Sequence, residues 1–118
     1  MKTILVAEDN ESNYILMTYI LKGKYNYVLA KNGQEAVDAV AKGGVDMVLM
    51  DIKMPVMDGL EATRQIKAQM PEIPIIALTA NAFDSDRQST IDAGCDDFIS
   101  NPVNAAFCLQ QIAKYIGE

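Results

Sequence analysis

The stretch DMVLMDIKMPVMDG, at residues 46–59, decides how this chain folds. It opens with an apolar run, 46–50, that is typical of a buried β-strand and ends at the carboxylate of Asp51. A Met-Pro pair then interrupts the chain, and Asp58 follows as a candidate cap for a helix that runs to about residue 69. A buried strand, a polar loop and a helix in this order predict one βα unit.

The same unit recurs along the whole chain. The other predicted strands cover residues 3–7, 25–30, 74–79 and 97–100. The first helix is predicted over 11–22 with Asn10 or Ser12 as its cap, and Asn32 and Asn104 are the predicted caps of the second and last helices. The fourth helix is predicted to open at Asp84 or Ser85. Five βα units in succession predict an α/β fold, in which a parallel sheet is covered by helices on both faces.

Apolar residues at helical spacing indicate which side of a helix faces the core. Three such residues stand in the first helix and three in the last. The expected anchors are Leu16, Ile20 and Leu21 in the first helix, and Phe107, Ile112 and Ile116 in the last.

Length and charge limit the function further. The chain has 118 residues, which fits one domain over residues 1–118. A net charge of −6 does not provide a surface that follows nucleic-acid phosphates. No apolar stretch is long enough to span a membrane, and the N-terminus lacks the pattern of a signal peptide. We therefore expect a cytoplasmic protein without direct nucleic-acid or membrane contact.

The rare residue types exclude several kinds of site. The chain has no histidine, which removes Ser/His and Cys/His catalysis and the common zinc sites. Its two cysteines, Cys95 and Cys108, do not have the spacing of metal ligands. In a reducing compartment we expect both to be free thiols that are mostly buried.

Polar side chains follow four of the predicted strands. They are Glu8-Asp9, Asp51, Thr79 and Ser100-Asn101. The carboxyl ends of parallel strands meet at one edge of a sheet, where such folds bind their ligands. Three carboxylates at one edge repel one another unless a cation joins them, and oxygen ligands favour Mg²⁺ or Mn²⁺. A carboxylate beside Mg²⁺ can attack phosphorus, which would give an aspartyl-phosphate, and Thr79 could donate to a phosphoryl oxygen.

These motifs resemble the receiver domain of two-component response regulators, of the kind found in chemotaxis regulators. The resemblance runs over the whole chain and is carried by AEDN at 7–10, DIKMPVMDG at 51–59, LTA at 78–80 and the proline at 102. It implies a flavodoxin-like fold with sheet order 2-1-3-4-5. The longer run AEDNESN, at 7–13, is similar to the receivers of hybrid histidine kinases.

The resemblance also implies roles for individual residues. Asp51 matches the phospho-acceptor. Glu8, Asp9, Asp51 and the backbone carbonyl of Lys53 match the metal ligands. Thr79 and Phe98 fall at the family's switch positions. The Asn101-Pro102 bond falls where the family has a cis peptide. It further implies a partner surface around the fourth helix and the fifth strand.

The resemblance implies a phosphorelay function as well. The phosphoryl donor would be a phosphohistidine on a sensor histidine kinase or a histidine phosphotransfer protein. The only chemistry expected of the chain itself is weak self-phosphotransfer and loss of its own phosphate.

Asn101 departs from the family pattern, which has a lysine directly before this proline. A lysine would give the phosphoryl group a charge-assisted contact, whereas asparagine is shorter and neutral. The alternative hypothesis is a degenerate receiver that binds partners without phosphorylation. We expect Asp51 to be phosphorylated and the resulting conformational change to be small.

Two enzyme or cofactor classes fit the sequence less well. An aspartyl-phosphate hydrolase of the haloacid dehalogenase class needs a second aspartate where this chain has Lys53. A flavodoxin-like cofactor binder needs a phosphate-binding loop after the first strand, and the acidic run at 8–11 would repel phosphate there.

Overall fold

The computed structural model describes residues 1–79, 84–100 and 103–117. Within these ranges, five strands alternate with five helices. The strands are β1 (Thr3–Ala7), β2 (Asn26–Ala30), β3 (Met47–Asp51), β4 (Ile75–Thr79) and β5 (Asp97–Ser100). The helices are α1 (Glu11–Leu21), α2 (Gly33–Ala41), α3 (Gly59–Gln69), α4 (Asp84–Ala93) and α5 (Ala105–Ile116).

All strand pairings are parallel, and the sheet order is β2-β1-β3-β4-β5. This order confirms the predicted fold class. The chain leaves β1 toward β2 on one side and reaches β3 on the other. The topological switch point therefore lies between the carboxyl ends of β1 and β3.

Short polar side chains cap four of the described helices, α1, α2, α3 and α5, where the sequence predicts them. Asn10, Asn32, Asp58 and Asn104 each accept a hydrogen bond from the backbone N–H three residues later. Each bond satisfies one of the free donors at a helix N-terminus. Of the two candidates for the first helix, Asn10 is the cap.

Two apolar layers enclose the sheet. One layer, under α1 and α5, includes Met17, Leu21 and Ile112, and the other, under α2 and α3, includes Val37 and Ile66. Strands β1 and β3 are buried on both faces, as continuous apolar runs in parallel sheets usually are. The edge strand β2 differs, because its first four residues are exposed.

Two of the expected core anchors are wrong. Leu16 and Phe107 are 39% and 45% exposed. In α1 the inward set is Met17, Ile20 and Leu21, so Ile20 and Leu21 are buried as expected and Met17 takes the place of Leu16. In α5 the buried residues are Cys108 and Ile112, and Cys108 takes the inward position that was assigned to its neighbour. Both helices have adjacent apolar residues, and the sequence alone did not decide between them.

The cysteines are free thiols, as predicted. Cys108 is fully buried, and this burial raises the pKa of its thiol to about 11. Cys95 is only partly buried, and its thiol pKa is raised chiefly by desolvation. No described helix is long and apolar enough to cross a membrane.

Lys67 connects three elements at the amino end of the sheet. Its ammonium lies 2.7 Å from a carboxylate oxygen of Asp96, and it donates to the carbonyls of Ile73 and Pro71 at 2.7 and 3.3 Å. The same Asp96 oxygen accepts the backbone N–H of Ile75 at 2.9 Å. The side chains of Lys67 and Asp96 are 17% and 35% exposed, so this contact is less open to water than a pair at the surface. It fixes the starts of β4 and β5 against α3.

We predict that Lys67→Met lowers the free energy of unfolding by roughly 1.5–3 kcal/mol, because methionine keeps the packing and loses the charged donor. Arg64→Met is the matched control in the same helix. Arg64 pairs with Glu61 at the surface, both about half exposed, and its loss should lower stability by less than about 0.5 kcal/mol. Urea unfolding of both variants measures the difference. Equal effects would show that the Lys67 contacts are no stronger than a surface pair.

Candidate active site

The carboxyl ends of β1 and β3 bring three acidic side chains together. Ala7 is the register partner of Met50, so Glu8 and Asp51 follow side by side at the same sheet edge. Glu8, Asp9 and Asp51 each offer one carboxylate oxygen, and these three atoms all lie within 4.8 Å of one another. Both strands are buried and hydrogen-bonded, which holds the acidic cluster in place.

The three carboxylates differ in exposure. Glu8 is 2% exposed, whereas Asp51 is partly buried and Asp9 is exposed. One oxygen of Glu8 accepts the backbone N–H of Asn10 and the side-chain amide of Asn13, each at 3.2 Å. The carboxylate of Asp51 accepts the backbone N–H of Lys53 at 3.2 Å. The buried acid is thus held from α1, and the half-buried one from the loop that follows β3.

Burial and the neighbouring acids raise the pKa of Asp51 from its ordinary value of 3.8 to about 7. Desolvation is the largest cause, and the charge of Glu8 is the next. The N–H of Lys53 opposes the shift by stabilising the carboxylate, and Asp9 adds a smaller repulsion. A divalent cation among these oxygens would reverse the balance, because it favours the ionised form of every ligand.

Oxygen ligands and an edge open to solvent suit a hard cation such as Mg²⁺, which usually keeps several waters. Lys53 belongs to the same loop. Its side chain is exposed, and its N–H is directed to Asp51. An open cleft of about 660 Å³ adjoins the cluster. It is lined by Asp9, Ile52, Lys53, Met54, Pro55, Asp58, Leu60 and Ser89.

Two glycines permit the close packing of this loop. A Cβ on Gly59 would collide with the backbone carbonyl of Asp51, and a Cβ on Gly33 would collide with that of Met57. Both glycines also donate, Gly59 to the carbonyl of Ile52 at 2.8 Å and Gly33 to that of Met57 at 2.9 Å. The loop is therefore closed at its base by α3 and supported from behind by α2.

Thr79 ends the strand next to the acidic cluster. It is 5% exposed and follows Leu78, the register partner of Asp51. Its own register partner is Ser100, the last residue of β5. The structure thus places a buried hydroxyl one strand away from the proposed acceptor.

Phe98 lies farther from the sheet edge and is partly buried. The guanidinium of Arg87, on α4, lies over its ring at 5.4 Å from the centroid. This distance is typical of a cation–π contact. Asn101 and Pro102 fall outside the described residues, so the role of Asn101 and the cis bond at this step stay predictions.

Sequence analysis did not identify three residues that shape the site: Asn13, Gly33 and Arg87. The position of Asn13 near the acidic pair could have been inferred from the sequence, since this asparagine lies three residues after a helix cap that itself follows the pair. Gly33 and Arg87 contact residues far away in the sequence, and only the fold shows those contacts.

The sheet order and the acidic cluster at the switch point define a flavodoxin-like α/β protein whose site lies at the carboxyl edge of its strands. A model of the response regulator receiver domain matches residues 4–113. The chain therefore belongs to the response regulator receiver family.

Relatives include whole regulators and parts of larger proteins. The polar-differentiation response regulator DivK of Brucella anthropi is 33% identical, and the match covers 99% of this chain and 98% of DivK. Hybrid signal transduction histidine kinase I of Dictyostelium discoideum is 38% identical over 98% of this chain. The chain spans only 7% of that kinase.

Two solved structures are similar along almost the whole chain. The receiver domain of the sensor histidine kinase PA1611 of Pseudomonas aeruginosa, which has a magnesium ion coordinated in its active site cleft, is 37% identical with a TM-score of 0.93. That match covers 99% of this chain and 98% of the other. The receiver of Saccharomyces cerevisiae Ssk1, in complex with the histidine phosphotransfer protein Ypd1, is 33% identical with a TM-score of 0.91. It covers 97% of this chain and 88% of the other.

The raised pKa of Asp51 predicts a specific pH dependence in metal-free buffer. Between pH 3.8 and about 7, the folded protein holds a proton on Asp51 that the unfolded chain has released. The free energy of unfolding should therefore lose a contribution from Asp51 as pH rises through this range, and the loss should level off above about pH 7. Asp51→Asn removes this contribution, so the variant should gain stability relative to the wild type as pH rises. Urea unfolding in EDTA at several pH values measures it, and parallel pH profiles of the two proteins would contradict it.

Proposed function

We propose that this chain is a phosphorelay receiver, in which Asp51 accepts a phosphoryl group from a phosphohistidine of a partner protein. The observation that carries the proposal is the acidic cluster of Glu8, Asp9 and Asp51 at the switch point of the sheet. Such a cluster is unfavourable without a cation, and an open cleft adjoins it at Asp9. Family membership supports the same function.

Glu8, Asp9, Asp51 and the carbonyl of Lys53 would hold Mg²⁺. The cation would stabilise the ionised form of Asp51 and offset the negative charge of the incoming phosphoryl group. Only the ionised carboxylate is a nucleophile, and a pKa of about 7 leaves much of the metal-free protein protonated at neutral pH. The phosphorylation of Asp51 should therefore depend strongly on Mg²⁺. Magnesium in the cleft of the PA1611 receiver supports this assignment.

The transfer itself needs little from the protein beyond positioning. A carboxylate oxygen of Asp51 forms a bond to phosphorus while the bond from phosphorus to the imidazole nitrogen of the donor breaks. The backbone N–H of Lys53 orients the Asp51 carboxylate. Thr79, one strand away, would donate to a phosphoryl oxygen, and Phe98 would respond through a change in its burial.

We expect the phosphoryl-donor protein to bind against α1. This helix starts two residues after the acidic pair, and the structure exposes an apolar strip on its outer side. Ile15 is 52% exposed and Tyr19 is 79% exposed. A donor bound over the start of this helix would lie beside the acidic cluster. We infer that the strip of Ile15 and Tyr19 contacts the donor protein, whereas the partner surface that the family resemblance implies around α4 and β5 stays a separate prediction. The complex of Ypd1 with the Ssk1 receiver supports a phosphotransfer protein as this donor.

We predict that acetyl phosphate and Mg²⁺ add one phosphoryl group to the chain. Asp51→Asn should abolish the addition, because the amide cannot act as the nucleophile. Mg²⁺ should also raise the melting temperature, and Asp9→Asn should remove most of this rise by deleting a ligand. Intact-mass measurement and thermal unfolding give the two readouts.

The degenerate alternative makes the opposite prediction for the same measurements. If the neutral Asn101 has ended phosphorylation, the wild type should stay unmodified, and Asn101→Lys should restore the modification. An unchanged mass together with an unchanged melting curve in millimolar Mg²⁺ would reject the proposed function.

The docking inference predicts different effects for two isoleucines of equal exposure. Ile15, on α1, and Ile91, on α4, are each 52% exposed. Ile15→Ser should slow transfer from phosphorylated Ypd1 by roughly tenfold, the usual effect of losing a useful apolar contact in an interface. Phosphorylation by acetyl phosphate should not change. Ile91→Ser is the control, and a slower transfer in this variant alone would place the donor on α4 instead.

A further inference from the structure

Asn13 connects the first turn of α1 to the acidic cluster. Its side-chain amide donates to a carboxylate oxygen of Glu8 at 3.2 Å. The same oxygen accepts the backbone N–H of Asn10, also at 3.2 Å. Glu8 is 2% exposed, so water contributes little to the position of its carboxylate. These two donors belong to the beginning of α1.

The backbone and the side chain of Asn13 serve different contacts. Its backbone N–H donates to the side chain of Asn10 at 3.1 Å, which caps the helix. Its side-chain amide is directed backward to Glu8. Asn13→Ala therefore keeps the helix cap and removes only the contact to the acid. Alanine also favours the helical conformation more than asparagine does, so the variant should fold.

We propose that Asn13 is a positioning residue for the divalent cation, which acts by orienting the carboxylate of Glu8. This inference rests on the proposed function, since it concerns the same metal site. A carboxylate that is fixed before the cation arrives loses less freedom on binding than one that rotates. Hydrogen-bond partners of metal ligands commonly change metal affinity by about 10- to 100-fold. Both N–H groups donate to the same oxygen of Glu8, so together they orient its carboxylate.

The test compares Mg²⁺ binding by the wild type, Asn13→Ala and the control Ser12→Ala. Ser12 is exposed, lies in the same turn and makes no side-chain hydrogen bond to the residues that the structure describes. Amide chemical shifts during a Mg²⁺ titration give the affinity without any phosphorylation. We expect Asn13→Ala to bind Mg²⁺ roughly tenfold more weakly and Ser12→Ala to match the wild type.

A second measurement separates positioning from a general structural effect. Rates of phosphorylation by acetyl phosphate are measured over a range of Mg²⁺ concentrations. Asn13→Ala should need roughly ten times more Mg²⁺ for half of the maximal rate and should reach the same maximum. A lower maximum with an unchanged Mg²⁺ requirement would overturn the inference.

The double variant Glu8→Ala/Asn13→Ala tests whether Asn13 acts through Glu8. If it does, Asn13→Ala should lower Mg²⁺ affinity no further when Glu8 is already absent. A full additional loss in that background would overturn the proposal. So would equal Mg²⁺ affinities of the wild type and Asn13→Ala. A wild type that binds no Mg²⁺ would instead reject the metal site of the proposed function itself.

Discussion

Mutual repulsion among Glu8, Asp9 and Asp51 is the constraint on which the rest of this structure depends. Carboxylate oxygens within 4.8 Å of one another destabilise the folded state when all three are ionised. The two central strands, β1 and β3, offset that repulsion. They are buried on both faces, and each pairs with a neighbour on either side. The acids are thus attached to the part of the sheet that is least free to move apart.

Hydrogen bonds from oriented N–H groups partly offset the same repulsion. Glu8 is held by the start of α1, and Asp51 by the loop after β3. Gly59 and Gly33 let this loop lie against the backbone of β3 and against α2. Hydrogen bonds from these neutral groups offset the negative charge of the acidic cluster only in part. In the proposed metal-bound state, a cation would supply the missing positive charge.

The sequence predicted the βα order, the caps and the residues of the acidic cluster, because each depends on local chemistry or on where a strand ends. Alternating apolar runs specify strands, and asparagine or aspartate before a helix specifies its start. The sequence did not predict contacts that depend on packing between distant segments. Leu16 and Met17 are equally apolar, and only their position relative to the sheet decides which one is buried. The contacts of Lys67 with Asp96 and of Gly33 with Met57 join residues that are 29 and 24 positions apart.

The pairing of β1 with β3 also has a kinetic consequence. These strands are separated by the whole of α1, β2 and α2, so their pairing is a long-range event that closes a long loop. The acids at their ends approach one another in that same step. If β1 and β3 pair in the transition state of folding, repulsion among these carboxylates therefore raises the folding barrier. Neutralising Asp51 should then accelerate folding, whereas binding of a cation to the finished site should mainly slow unfolding.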